Sequence, residues 1–354
     1  MFTLDHTALI CGFATHIIPH TAMHGLVPLH RMPAVGDVVL TEVLTTGRPG
    51  VIEDRQGTPT NIFPGDQLVT VFSNHHAPDH FVQYVPAQVV TTCDLLSSGG
   101  VCSASSLTHT ATQVPTRLRL LGAVCHSDGQ PLNQRQFGLQ PCHGAGRGDV
   151  IAVIDAAATS GKTATVGTLV RVLSHAGLRV AVARLTGIAT SNERHFYARC
   201  GAQPVLDFTD AGYPATTMLR LRELLHITDT LVSHLRASGA DYILIELADG
   251  IFQRETRLLL DHPGFSASID HVIFAAGDSL SAAYGVRYCQ QRGLPLRTVN
   301  GALTRNPQMM REAEERTGVP CLNMAQVIAG ERLLQASGVA DSASAMQSMR
   351  LQAA

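Results

Sequence analysis

The sequence predicts an α/β chain in which a parallel sheet, covered by helices on both faces, follows a smaller β-rich domain of barrel or sandwich type. Three observations predict it. Residues 149–336 alternate continuous apolar runs with helical stripes, the pattern of strands buried on both faces. Residues 1–125 carry short β-like runs separated by turns, with little helical periodicity. Between them, from His126 to Gly148, apolar residues thin out while Gly, Gln, Asn and Pro accumulate, as in a connector. The expected domains are 1–145 with its linker, 146–336, and a small polar tail at 337–354. A chain of 354 residues fits the prior of ~100–200 residues per domain.

In the first half, Asp37–Thr45 reads as a strand. Val51–Asp54 and Thr60–Phe63 flank a Gln56-Gly57 turn, as in a hairpin. Pro64-Gly-Asp66 turns into Gln67–Phe72, and a further apolar run covers Arg117–Val124. Ser97–Ser106 is rich in small residues and reads as a loop. In the second half, Val150–Ile154 is a buried strand. Val166, Leu169, Val170 and Leu173 then recur at helical spacing, and Gly177 marks the stop. Strands follow at Arg179–Arg184, Tyr242–Glu246, His271–Ala276 and Leu296–Asn300. Helices are expected around Leu221–Leu235, from Leu280 to Gln291, and near 307–317 and 324–336.

Composition excludes several function classes. The formal net charge of −2 lacks the basic footprint of a nucleic-acid binder. Thr7–Ile18 is apolar but short, follows Asp5 and is cut by Pro19, so it reads neither as a signal peptide nor as a membrane span. Eight scattered cysteines without a CxxC pair fit reduced thiols and a cytoplasmic protein. Seventeen histidines raise metal binding. His75, His76, Asp79 and His80 are ligand types packed closely, and His16, His20 and His24 have helical spacing interrupted by Pro19, but neither group has a recognised ligand pattern.

Lys162 is the only lysine; the other 25 of the 26 cationic side chains are arginine. It stands in Asp155-Ala-Ala-Ala-Thr-Ser-Gly-Lys-Thr163, directly behind a buried strand and ahead of a helix. A compact ammonium on a flexible stem can fold back over a loop to reach β- and γ-phosphate oxygens, which a forked guanidinium does less well. Ala158, Thr159, Ser160, Gly161, Lys162 and Thr163 are therefore the candidate phosphate-binding residues, with the Thr163 hydroxyl on Mg²⁺. Ala156 replaces the first Gly of the usual GxxxxGK[ST] pattern. Glu246 ends an apolar strand and is the candidate metal- or water-ordering acid, with Asp249 close behind it. Arg184, Thr186 and Gly187, at the end of the second strand, are placed to hold an anionic acceptor or transferring charge. Asp210 and Thr216 lie in a polar, glycine-containing segment that reads as a substrate or switch loop. Asn300, followed by Gly301, offers an amide to an adenine edge. The guanine-reading [NT]KxD pattern is absent, and with one lysine it could not exist beside Lys162.

Through Asp155–Thr163, Arg184-Leu-Thr-Gly187, Ile245–Gly250 and Val299-Asn-Gly301, residues 149–325 resemble the P-loop NTPase group that contains dethiobiotin synthetase, the cobyrinate amidases and the molybdopterin-guanine accessory proteins. The resemblance implies that Lys162 and Thr163 hold phosphates and Mg²⁺, that Glu246 assists the metal and that Asn300 lies near the base. It also implies a homodimer or higher homo-oligomer acting with ATP on a small carboxylate- or phosphate-bearing metabolite. The β-rich first half has no counterpart in the simplest members. Taken together, the sequence reads as an ATP- and Mg²⁺-dependent enzyme that phosphorylates or ligates a small anionic metabolite, a P-loop kinase, ligase or NTPase. A nucleotide-switched metallochaperone or regulator and a nucleotide-controlled assembly module are the alternatives.

Overall fold

The structure, a computed structural model, describes residues 2–3, 9–76, 81–108, 114–143, 146–157, 159–323 and 326. The chain divides into two units. The first runs to Gln140 and also takes in Gly187–Asn192 and Phe208–Leu219; the second holds Pro141–Thr186, Glu193–Asp207 and the residues from Arg220 on. Of the sequence expectations, Ala158, residues 77–80, the tail and the 324–336 helix (except Gln326) lie outside the described residues.

In the first unit Val38–Thr45 pairs antiparallel with both Gln67–Phe72 and Thr116–Cys125. Thr116–Cys125 pairs with Thr92–Leu95, Thr92–Leu95 with Val101–Thr108, and Val101–Thr108 runs parallel to Gln67–Phe72. The circuit returns to its start, so these strands close a barrel and leave no free edge among themselves. Successive residues of one strand enter different apolar clusters: Val38 and Leu40 join Val69, Val71 and Val101, whereas Val39 and Val43 join Leu68, Phe72 and Leu118. Both faces are buried, which is why these strands read as unbroken apolar runs. The expected hairpin is present as Val51–Glu53 against Pro59–Asn61. The expected loop at Ser97–Ser106 is corrected, because Val101–Thr108 is a barrel strand. Ser and Ala have weak strand preferences, but partners on both sides fix the segment, and tertiary context overrides propensity. The stretch from Phe13 to His24 holds two short 3₁₀ turns, Phe13–Thr15 and His20–Ala22, in place of a helix.

The second unit is built on a six-stranded parallel sheet. Its strands are β1 (Asp149–Asp155), β2 (Val180–Arg184), β3 (Val205–Asp207), β4 (Tyr242–Glu246), β5 (His271–Ala275) and β6 (Leu296–Asn300). Their order across the sheet is β3-β2-β4-β1-β5-β6. The helices are α1 (Lys162–His175), α2 (Asn192–Cys200), α3 (Leu221–Ala237), α4 (Arg254–Leu260), α5 (Pro263–Ser266), α6 (Ser279–Gln291) and α7 (Pro307–Thr317). The stripe Val166, Leu169, Val170 and Leu173 buries α1 against Ile151, Val153, Val182 and Leu244 of the sheet. Strand β1 lies between β4 and β5, so the chain's excursions to either side part at its carboxyl end. That is where open α/β sheets form a crevice. Helices α2, α4 and α5 and the short strand β3 are additions to the sequence expectation. No helix among the described residues is long and apolar enough to cross a membrane.

Helix α6 reaches the sheet through Gly285, where an added Cβ would stand 2.1 Å from the Phe274 ring of β5. Gly285→Val should therefore destabilise the protein by about 1–3 kcal/mol through overpacking. The check is a lower urea midpoint with an unchanged slope; an unchanged midpoint would mean that the helix can back away freely.

Candidate functional site

The parallel register sets the site before any side chain is considered. Val153 of β1 lies opposite Glu246 of β4, and Glu246 lies opposite Arg184 of β2, which in turn lies opposite Asp207 of β3. Strands that end together deliver their last polar residues to one rim. Asp155, the last residue of β1, starts the loop that leads into α1.

Within that loop the Ser160 hydroxyl accepts the Ala157 N–H at 3.1 Å, and the Ser160 N–H donates to the Ala157 carbonyl at 3.0 Å. The Ser160 side chain thus holds the turn. Gly161 follows in the left-handed region, at φ 90°, and no side chain caps α1 behind it. The first-turn amides of a helix lack intrahelical acceptors and carry the positive end of the dipole, so an uncapped start favours an anion. Ala156 needs none of the freedom of the glycine it replaces. Among described non-glycine residues only Met218 and Asp249 have positive φ.

Lys162, 6% exposed, places its ammonium 3.2 Å from Asp155 Oδ1. The other Asp155 oxygen is buried without a hydrogen-bond partner. Burial pushes the Asp155 carboxyl up to about 6 against the pull of Lys162, and the charges of Glu246 and Asp249 add to the rise. The turn after β4 is tied to the same strand end, since the Ile251 N–H donates to the Asp155 carbonyl at 2.9 Å.

Glu246 is held from several directions. Thr163 Oγ1 donates to its Oε1 at 3.3 Å, and the buried Tyr197 hydroxyl donates to its Oε2 at 2.6 Å. Arg184 Nε stands 3.8 Å from the same Oε2, and its Nη1 lies 3.6 Å from Glu193. Burial alone would weaken the guanidinium's charge, but Glu193, Glu246 and Asp207 outweigh it and raise Arg184 further. Burial, then Glu246, keeps the Tyr197 hydroxyl protonated and so a donor. Sequence reasoning missed Tyr197, which is the one buried residue of the otherwise polar helix α2. The adjacent aromatics Phe196 and Tyr197 in an otherwise polar helix are the signal that could have found it.

Lys162, Thr163, Glu246 and Arg184 thus come together, with Asp249 near enough to act on Asp155. Thr159 is exposed at the loop. Other candidates are committed elsewhere. Thr186 Oγ1 accepts the Ala248 N–H at 2.6 Å, clamping the ends of β2 and β4. Asn300 is 1% exposed and faces inward. Its Oδ1 accepts from Thr165 Oγ1 at 2.7 Å and its amide donates to the Leu322 carbonyl, so the base-facing orientation expected of it is not the one it adopts. Gly187, Asp210 and Thr216 belong to the first unit. There the Gly187 N–H donates to Thr216 Oγ1 at 2.9 Å, and Asp210 lies 3.1 Å from His16 Nε2. No group of three or more metal-ligating side chains is found among the described residues.

The raised Asp155 carboxyl binds its proton more tightly in the folded than in the unfolded chain. Its stabilising contribution is therefore full below about pH 4 and is lost as pH rises through about 6. Relative to Asp155→Asn, the wild-type protein should lose on the order of 2 kcal/mol between pH 4 and pH 7.5. Denaturant unfolding of both proteins at several pH values checks this, and parallel pH profiles would contradict it.

No family model matches the chain, and no curated protein matches it. Among solved structures it is similar to the signal recognition particle receptor FtsY from Elizabethkingia anophelis, at 15% identity and a TM-score of 0.35 over 53% of this chain and 67% of that one. It is likewise similar to chloroplast FtsY from Physcomitrella patens, at 13% identity and a TM-score of 0.37 over 51% and 59% of the two chains. A third similarity is to the kinase domain of the Escherichia coli tyrosine kinase ETK, at 13% identity and a TM-score of 0.34 over 44% and 68%.

Proposed function

We propose that the chain is a P-loop nucleotide-dependent enzyme that uses ATP and Mg²⁺ to phosphorylate or ligate a small anionic metabolite. One observation carries the reading: an uncapped helix start, a buried lysine and a Thr–Glu pair share the carboxyl rim of one parallel sheet. The amides at the start of α1 would bind phosphate oxygens, and Lys162 would exchange Asp155 for a phosphate. Thr163 and Glu246 supply the hard oxygen donors that Mg²⁺ takes, so the residues present fit that ion. When bound, the metal would neutralise charge on the transferring phosphoryl group. Tyr197 and Arg184 would hold Glu246 in place, and Arg184 adds a fixed positive charge at the rim. Adenine is favoured over guanine because the guanine-reading lysine motif is missing.

Lys162→Ala and Lys162→Arg should both abolish binding of Mg-ATP measured by calorimetry. Because Lys162 offsets a buried carboxylate, Lys162→Ala should also lower stability at neutral pH, less so in the Asp155→Asn background. Wild-type protein that releases no heat with Mg-ATP, or Lys162→Arg with full turnover, would overturn the reading. Glu246→Gln keeps an acceptor for Tyr197, so it should still bind nucleotide while phosphate release slows about 100-fold or more. Loss of folding in that variant would mark Glu246 as structural.

A further inference from the structure

Away from the phosphate loop, α6 and α7 of the second unit border a groove of about 470 Å³. That lies within the usual ~300–1,000 Å³ range of small-molecule sites. Leu280, Tyr284, Arg287 and Gln290 line it from α6, Arg316 and Thr317 from α7. One end is apolar. Leu280 is 79% exposed and Tyr284 48%, and the Tyr284 ring lies 5.4 Å from that of Phe252, itself 66% exposed. These three are the only large hydrophobic side chains left exposed among the described residues of the second unit. Clustering of that kind, unlike scattered exposure, marks a surface that is covered in use.

The other part of the groove is cationic. Neither Arg287 nor Arg316 has a carboxylate partner among the described residues, whereas Arg292, just past the end of α6, pairs with Asp261 at 2.8 Å. Two of the three acids of α7 are turned to other work: Glu312 accepts from Ser279 and Gln308, and Glu314 accepts the Cys321 N–H. Arg316 in the last turn of α7 suits the helix dipole, but mid-helix Arg287 has no such reason to be there. Two guanidiniums on facing helices repel each other unless an anion lies between them. Planar forked donors are suited to carboxylate or phosphate.

We propose that this groove is a second ligand site for an amphipathic anion. A carboxylate or phosphate head sits between Arg287 and Arg316, and an apolar body runs along Tyr284 toward Leu280 and Phe252. Seven residues of helix separate Leu280 from Arg287, so head and tail stand about 10 Å apart, the reach of a medium-length acyl chain or an aryl group. The site takes one molecule and is independent of the nucleotide reading.

Calorimetry and saturation-transfer NMR on the whole protein, with octanoate and octyl phosphate as probes below their micelle concentrations, test it. At least one should bind, the better of the two identifying the head group. Inorganic phosphate and octanol should each bind about tenfold more weakly or worse, as halves of the ligand. Arg287→Gln combined with Arg316→Gln should weaken binding about tenfold or more, and Leu280→Ser should weaken it with an unchanged thermal midpoint. The proposal fails if neither amphiphile binds, or if the double variant binds as tightly as wild type. It also fails if Leu280→Ser dissociates a wild-type dimer in sedimentation while the probes do not bind, because the patch would then be a subunit contact.

Discussion

A buried ammonium group facing a buried carboxylate, where β1 meets α1, is the constraint around which the second unit is arranged. Lys162 and Asp155 are each costly to bury unpaired, and Asp155 is enclosed because β1 lies between β4 and β5. Pairing with Lys162 satisfies only one Asp155 oxygen. Burial, only partly offset by Lys162, holds the carboxyl up near 6. A lysine held by so weakly committed a partner can be drawn off by a stronger anion. Were the second Asp155 oxygen also hydrogen-bonded, the carboxylate would be held ionised more firmly and the exchange would be harder.

Polar side chains at the rim fall into two kinds. Thr186, Thr256, Thr165 and Asn300 bond backbone or each other and fasten loops to strands: Thr186 and Thr256 grip the two sides of Ala248, and Thr165 grips Asn300. They are buried, and each is hydrogen-bonded. Lys162, Thr163, Glu246 and Arg184 carry charge, or contact charge, at longer distances of 3.2–3.8 Å. Tight neutral bonds build the frame, and looser charged contacts are left where something else could complete them. Tyr197 joins the two kinds, since its short bond to Glu246 is a frame contact made to a charged residue.

Legibility followed the physics of burial. Strands of the parallel sheet are covered on both faces, so Val150–Ile154 and Tyr242–Ile245 read as apolar runs, and α1 showed its stripe. The only lysine marked the loop. Three features were hidden for definite reasons. Val101–Thr108 is a strand by its neighbours' hydrogen bonds, and its Ser and Ala residues say nothing of it. Asn300 has the residue type and strand-end position of a ligand contact, yet its orientation depends on Thr165 and Leu322, which are 135 and 22 residues away in the chain. Gly187–Asn192 and Phe208–Leu219 belong by their contacts to the first unit although they are flanked in sequence by the second. Ser191 N–H on Glu53, 2.6 Å apart across 138 residues, is a pairing that no local pattern could announce.

The balance of charge at the rim bears on what could be bound there. Asp155, Glu246, Asp249, Glu193 and Asp207 all act electrostatically on one another or on Arg184, and Lys162 and Arg184 are among the cations that answer them. A bare polyphosphate approaching the start of α1 would meet repulsion from Glu246 and Asp249 as well as attraction from Lys162. At the few-ångström separations inside such a site, each unit charge matters by several kcal/mol even at an effective dielectric constant of about 20. A divalent cation beside Thr163 and Glu246 reverses that sign. On the proposed nucleotide reading, a magnesium ion held by Thr163 and Glu246 would offset the carboxylates nearest the phosphate tail, and Lys162 with the amides of α1 would supply the rest of the attraction.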